Sequence, residues 1–544
     1  MERRSTVFTY PRRPGRIAVI GSGISGLSAA HRILRLNGSR REEEKFQCTV
    51  FESSSRVGGV ISTRCEEGFL VEESSDNFIT TTPWAVQLCD ELGLRETLTG
   101  TSPSYRRTFV VRKGRLRPLP DGFLMMAPTR IWPMALTPIL SPFGKLRAAM
   151  EFFLPRRRDT SDESVRAFAT RRLGREVFER LIEPLVSGVY AADMDRLSVD
   201  ATLPQFREME QRYGSLIRAM RANMAKRRRE EREARRCGME GSERSGENTV
   251  GTGDTGARYS LFMTPRNGLE SMTQAIRLRL ESAPEATIRL NTGVDRIEWE
   301  PGNRASENPR SEECPAPENR AFVRNVSAER ESDGKYRVFL TDGTSEIFDG
   351  VILATPSHQT ASIVRELDPL LSSEIAGIVH SGTTVLTVAF REDQVRNPPR
   401  GAGAVVPSIE RLPILAISFS NRKYPFRAPT GTILLRIFAG GARHEHFFSL
   451  EDSVLRRTLL DALRPLLSIE GDPIYGTMAR WPRTMPQYHL GHRELVASIR
   501  ARVSAHPALA IAGNFLDGVG IPHCVRTGWL AAEHLCVPPT DLES

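Results

Sequence analysis

Cysteine is scarce in this 544-residue chain: seven residues, at 48, 65, 89, 237, 314, 524 and 536, form an odd set with no metal-type spacing. A disulfide framework and a zinc site are therefore excluded, and a reducing compartment is expected. Long apolar runs are missing as well. The most apolar stretch, GFLMMAPTRIWPMALTPILSPF (Gly122–Phe143), is interrupted by Arg130 and by Pro128, Pro133, Pro138 and Pro142, so it cannot provide the roughly 20 unbroken residues of a spanning helix. No apolar segment of signal-peptide length stands between Arg3, Arg4, Arg12, Arg13 or Arg16 and the first strand at Ile17. A cleavable address is not expected, and a cytoplasmic start is. No Ser-His-Asp set or general base stands out. His444 and His446 lack further metal partners, and the spacing of His489, His492 and His523 demands no chemistry, so no metal site is expected.

What is present points to a cofactor. RIAVIGSGISG (Arg16–Gly26) reads as a buried strand that breaks into Gly21-Ser22-Gly23-Ile24-Ser25-Gly26 and then a helix. In such a dinucleotide fingerprint the first glycine allows a sharp turn, the second lets backbone N–H groups approach a pyrophosphate, and the third lets helix and strand pack closely. A second apolar strand, Cys48–Glu52, ends on a carboxylate 26 residues after Gly26, where an adenine ribose needs an acceptor. The following Arg56-Val-Gly58-Gly59-Val60 adds a guanidinium and two glycines beside the same phosphates. That surplus suits extended FAD better than NAD.

Five further segments carry a resemblance: Val165–Val199, Phe262–Met272, Gly401–Ser408, Met485–His492 and Ala512–Cys524. With the glycine fingerprint they make the chain resemble the flavin amine oxidase superfamily and, within it, the oxygen-dependent protoporphyrinogen and coproporphyrinogen III oxidases of haem synthesis. The resemblance implies non-covalent FAD held by Gly21 through Gly26, Glu52, Ser53, Arg56, Gly58, Gly59 and Val60, with Val294 near the adenine and Asn514, Val519, Gly520 and Ile521 near the flavin ring. Where that family usually carries Glu-x-Gly-Pro over the flavin, this chain has Glu72-Glu73-Ser74-Ser75-Asp76-Asn77. Ser74, Ser75, Asp76 and Asn77 are taken as cofactor contacts on the same footing. No cysteine precedes Cys524 in its segment to link a flavin covalently.

The implied substrate is a flexible porphyrinogen bearing carboxylates, which calls for an apolar pocket with cations at its rim. Gly188, Val405 and Phe419 are the expected walls and Arg106 or Arg107 the propionate anchor, because the planar guanidinium fork binds carboxylates bidentately. The resemblance further implies that the flavin itself accepts hydride, in three two-electron rounds, with molecular oxygen reoxidising it to give hydrogen peroxide. Protoporphyrinogen and coproporphyrinogen are not separated by the sequence. Other members of the superfamily, amine oxidases and carotenoid desaturases, are the alternative enzymes. A non-enzymatic lipid-partner binding protein on the same fold is disfavoured by the intact phosphate-facing glycines.

Net charge is +9, yet twelve Lys/Arg against Asp121 and Glu151 fall between Arg106 and Arg158. An apolar, proline-broken surface flanked by cations suits an anionic membrane leaflet, contacted peripherally from the cytoplasmic face. A buried helical domain with a basic face is the alternative. The Arg227–Arg229 cluster is balanced by Glu230, Glu231 and Glu233, so no nucleic acid is expected. The resemblance also admits a homodimer and hand-off of product to a ferrochelatase.

The expected fold class is α/β: a Rossmann-like FAD domain of the amine-oxidase type, an α+β substrate domain and a helical membrane-associating domain. The FAD domain is expected in three pieces, 14–89 (with the substrate domain beginning near 66), 261–356 and 505–540. The helical domain is placed at 90–220, a charged and disordered insertion at 221–260, and the substrate domain at 357–504. A second Pro- and charge-rich insertion is expected over Pro301–Arg320.

Overall fold

The structure, a computed structural model, describes residues 15–105, 107–128, 131–236, 261–302, 334–398 and 400–537. At its base is a five-stranded sheet ordered Ala286–Arg289, Gln47–Phe51, Arg16–Ile20, Gly350–Leu353, Leu509–Ile511. Every neighbouring pair is parallel. Strands buried on both faces should be near-continuous apolar runs, and Ile17–Ile20 and Val351–Leu353 are. Their alternate side chains enter two cores. Ile17, Val19 and Ile352 face the helices Ile24–Asn37 and Ile521–Cys536. Ala18, Ile20, Val351 and Leu353 face an antiparallel sheet of Val294–Glu300, Lys335–Leu340 and Ser345–Phe348. The stretch 287–298 is therefore divided between two sheets, with the chain turning at Asn291, whose φ is 52°.

A second, seven-stranded sheet is ordered Tyr475–Pro486, His380–Arg391, Thr432–Gly440, Ala416–Phe419, Gly403–Val405, Thr108–Arg112, Arg115–Pro118. One of its faces packs on the helix Asp452–Leu467 through Leu386, Leu435, Ile437 and Phe419. Its last two strands lie inside the stretch expected to be helical. Thr108–Arg112 and Arg115–Pro118 pair antiparallel across Lys113 and Gly114, which both have positive φ (50° and 68°), the two-residue hairpin turn that matches strand twist. Among the described residues after this hairpin the first helix is Ile131–Leu136, and the helices that follow pack around Phe168, Phe178, Leu181 and Val186. Among the described residues no helix is long and apolar enough to cross a membrane. Of the two expected insertions, 221–236 continue the helix Leu216–Arg236, and 237–260 and 303–333 lie outside the described residues.

Candidate functional site

The cradle forms where the first parallel strand meets its helix. Gly21 turns at φ +102°, and a Cβ on Gly26 would stand 1.9 Å from the Gly21 carbonyl oxygen, so only glycine lets the helix seat on the strand end. Gly23 differs: a Cβ there would meet nothing within 4 Å. The two outer glycines are fixed by the protein's own packing, whereas the middle one borders open space at a helix N-terminus, which fits a bound pyrophosphate. The neighbouring loop closes on it, since Gly58 N–H donates to Ser22 O at 2.9 Å. Ile24 and Ser25 are buried in the first helical turn, and Gly59 and Val60 are exposed on the facing loop.

Glu52 follows the second strand directly. Its carboxylate accepts Ser22 N (3.0 Å) and Oγ (2.7 Å) and Ser54 N and Oγ (both 2.8 Å). Burial opposes its ionisation, but these donors outweigh burial and hold it below the usual carboxylate range. The exposed Ser53 hydroxyl is 3.5 Å away. Arg56 turns inward, donating to Val57 O, Ile61 O and Gly59 O at 3.2, 3.0 and 2.5 Å, so it braces the glycine loop. Val294 is reached through Thr292, whose N–H donates to Glu52 O at 2.7 Å. The third piece sits opposite, where Gly520 precedes the helix Ile521–Cys536. Asn514 Nδ2 donates to Thr484 O (3.1 Å), and the buried Tyr488 hydroxyl donates to Asn514 O. Cys524 is buried and its thiol is pushed up to about 11 by desolvation, which leaves it inert as a nucleophile.

Between cradle and seven-stranded sheet runs 72–77. Ser74 gives its carbonyl to Arg436, Ser75 is exposed and Asn77 half-buried. The Asp76 carboxylate, only 10 % exposed, is enclosed by Arg427, Lys423 and Arg436. Burial alone would raise its pKa, but the three cations override it and hold Asp76 well below the usual range. Glu72, 3.5 Å from Arg427, goes the other way because desolvation dominates. Asp76 thus spends its charge in this cluster, tying the segment to the sheet, and the resemblance-based reading of it as a cofactor contact does not account for that role.

A candidate wall is set by strand register. One row of directly paired residues crosses the whole sheet: Ala479, Val385, Phe438, Ala416, Val405, Val110, Arg117. Opposed residues point to the same face, and this is the face on which Val405, Val110 and Val519 of the flavin-ring loop share one cluster. Gly188 belongs here, its hypothetical Cβ meeting only Val405, at 3.8 Å. Phe419 does not. It is fully buried on the opposite face, against the Asp452–Leu467 helix, because one step along a strand reverses the side chain. The expectation of Phe419 as a pocket wall is corrected accordingly. Arg106 lies outside the described residues, and Arg107 is exposed, two residues before Phe109, which packs on Phe419's side. Arg107 does not join the row. Phe438, Ala416 and Arg117 join the row without having been expected there, because which strand each would pair with does not show in the local sequence.

The sequence matches the family described as flavin containing amine oxidoreductase over residues 24–313 and 319–536. Coproporphyrinogen III oxidase of Bacillus subtilis (strain 168) is 30 % identical over 515 residues, covering 94 % of this chain and 96 % of that protein. Protoporphyrinogen oxidase 1, chloroplastic, of Arabidopsis thaliana is 27 % identical, covering 94 % and 86 %. A candidate protoporphyrinogen oxidase from Exiguobacterium sp. 255-15 superposes with a TM-score of 0.75 at 26 % identity, covering 98 % of this chain and all of that one.

Proposed function

The chain belongs to the flavin containing amine oxidoreductase family, and from that premise we propose that it oxidises a porphyrinogen to the porphyrin in haem biosynthesis, with coproporphyrinogen III as substrate and oxygen as acceptor. The observation that carries this reading is the apolar row Val385–Phe438–Ala416–Val405, which faces Gly188 and Val519 of the flavin-ring loop. It offers a flat apolar wall beside the cofactor's reactive end. The choice of coproporphyrinogen III rests on full-length relatives of that name in B. subtilis, Staphylococcus aureus and Propionibacterium freudenreichii at 29–30 % identity, against 25–27 % for the protoporphyrinogen oxidases from plants.

FAD bound in the cradle would accept hydride from a methylene bridge of the macrocycle and pass the electrons to oxygen, giving hydrogen peroxide. The protein's part is to bind and orient. Gly23 and Gly59 leave room for the diphosphate, Glu52 meets the adenosine end, and the Asn514 loop, held by Tyr488 and Thr484, sets the ring end. Incubating the purified yellow protein with each porphyrinogen in air, and following porphyrin fluorescence, tests the reading. Faster formation of coproporphyrin supports it; conversion of neither overturns it.

A peripheral membrane contact from the cytoplasmic side belongs to the same proposal. Trp132, Leu136, Phe143 and Phe153 are 77–85 % exposed on the short helices between 131 and 153, beside Leu146 and Met150. Large apolar side chains left this exposed along three short helical segments suit an interaction site.

A further inference from the structure

The apolar row ends in charge. Arg117 is its last member, on the outermost strand of the seven-stranded sheet, directly opposite Val110. Arg112 is two residues beyond Val110 on the neighbouring strand, so it shares the face. From the strand of Val405 to that of Arg117 is two strand spacings, about 10 Å. Among the described residues neither arginine has a hydrogen-bonded or ion-paired partner. The surrounding charges do not supply one. Glu176, the acid nearest Arg112, already accepts Ser141 N and Oγ and pairs with Arg180 at 3.3 Å. Glu410 is the remaining acid near Arg112, while Arg180 and Arg117 repel it. Burial, followed by Arg180, lowers the Arg112 pKa, and attraction to Glu176 and Glu410 does not offset them.

We propose that Arg112 and Arg117 form a carboxylate-binding pair at the mouth of the macrocycle pocket and favour a substrate with more peripheral propionates. This rests on the porphyrinogen reading above and replaces Arg106 or Arg107 as anchor. An apolar ring lying along Phe438, Ala416 and Val405 brings its rim substituents to the strand edge where these guanidiniums stand. Coproporphyrinogen carries four propionates and protoporphyrinogen two, the second pair being replaced by vinyls. Two half-buried arginines without an ion-pair partner at one end of an apolar wall discriminate in that direction, because a propionate can pair with them and a vinyl group cannot.

The test is binding of coproporphyrin and protoporphyrin to the flavin-loaded protein, read by quenching of flavin fluorescence in lipid-free buffer. R112Q/R117Q is compared with wild type and with R117K. Coproporphyrin affinity should fall about tenfold to a hundredfold in the double variant, protoporphyrin affinity should fall less, and R117K should recover part of the loss. The flavin spectrum and retention on anionic vesicles should be unchanged. Unchanged coproporphyrin affinity alongside lost vesicle retention would assign the pair to lipid phosphates and overturn the proposal. Wild-type protein that binds neither porphyrin would overturn the functional reading, and the pair with it.

Discussion

The cofactor cradle and the substrate wall answer to different parts of the sequence. The cradle is written locally: Gly21, Gly23 and Gly26 fall within six residues, the outer two held to glycine by the protein's own packing and the middle one bordering open space. The wall is assembled from strands whose sequence separation runs from a few residues to several hundred, and a residue's place on it depends on register. Ser418 and Phe419 show the consequence. Ser418 faces Asp76 and the flavin side, its hydroxyl 3.3 Å from Asp76 Oδ2, while Phe419 faces the rear core. Local motifs fix chemistry, and non-local pairing fixes specificity.

Substitutions can break this contrast. The largest effect is expected from Gly26→Val, which sets a side chain against the Gly21 carbonyl and should cost on the order of 4 kcal/mol or more, giving insoluble or unfolded protein. Gly23→Val has free space in the protein alone, so it should fold with near-normal thermal stability yet purify colourless. A yellow Gly23→Val protein would show that the space is not the cofactor's. Next comes Asp76→Asn, which strands Arg427, Arg436 and Lys423 in the interior and should cost about 3–5 kcal/mol in denaturant unfolding. Because the folded-state pKa of Asp76 is depressed, its contribution is fully present above the unfolded value and is lost as pH falls through the folded one. The stability gap between wild type and Asp76→Asn should therefore stay constant at neutral pH and close in strong acid. A gap that widens on acidification would contradict the cluster.

Much of the fold was legible for the same physical reason as the cradle. The runs at 17–20 and 350–353 are apolar on both faces, as parallel strands between two layers must be, and the glycine turns follow them directly. The hairpin 108–118 was not legible as part of the sheet, because it lies in a basic stretch expected to be mostly helical and its partner strand Gly403–Val405 is some 300 residues away. Asp76 escaped for a different reason: its partners Lys423, Arg427 and Arg436 lie some 350 residues away, and only the packing of the 72–77 segment against the seven-stranded sheet and the turns beside it brings them together.

Smaller effects sharpen the picture of the wall. Phe419→Ala should destabilise by about 3–5 kcal/mol, as expected for a buried aromatic, and leave the porphyrinogen KM of the folded fraction unchanged. Phe438→Ala, on the half-buried substrate side, should do the reverse, raising KM with little loss in Tm; equal effects from the two would mean the wall has no distinct faces. Smallest of all, Phe143→Ser with Phe153→Ser should weaken retention on anionic vesicles, and added salt should weaken it further, since each surface cation contributes up to about 1 kcal/mol. Binding that ignores both lipid charge and these side chains would rule out the membrane contact.

The most direct measurement is anaerobic mixing of the flavin-loaded protein with coproporphyrinogen III while the flavin absorbance is followed. The account predicts that the yellow colour bleaches as electrons leave the macrocycle, and that admitting oxygen restores it with release of hydrogen peroxide and porphyrin. A flavin that stays oxidised with both porphyrinogens, yet bleaches with a primary amine, would contradict it.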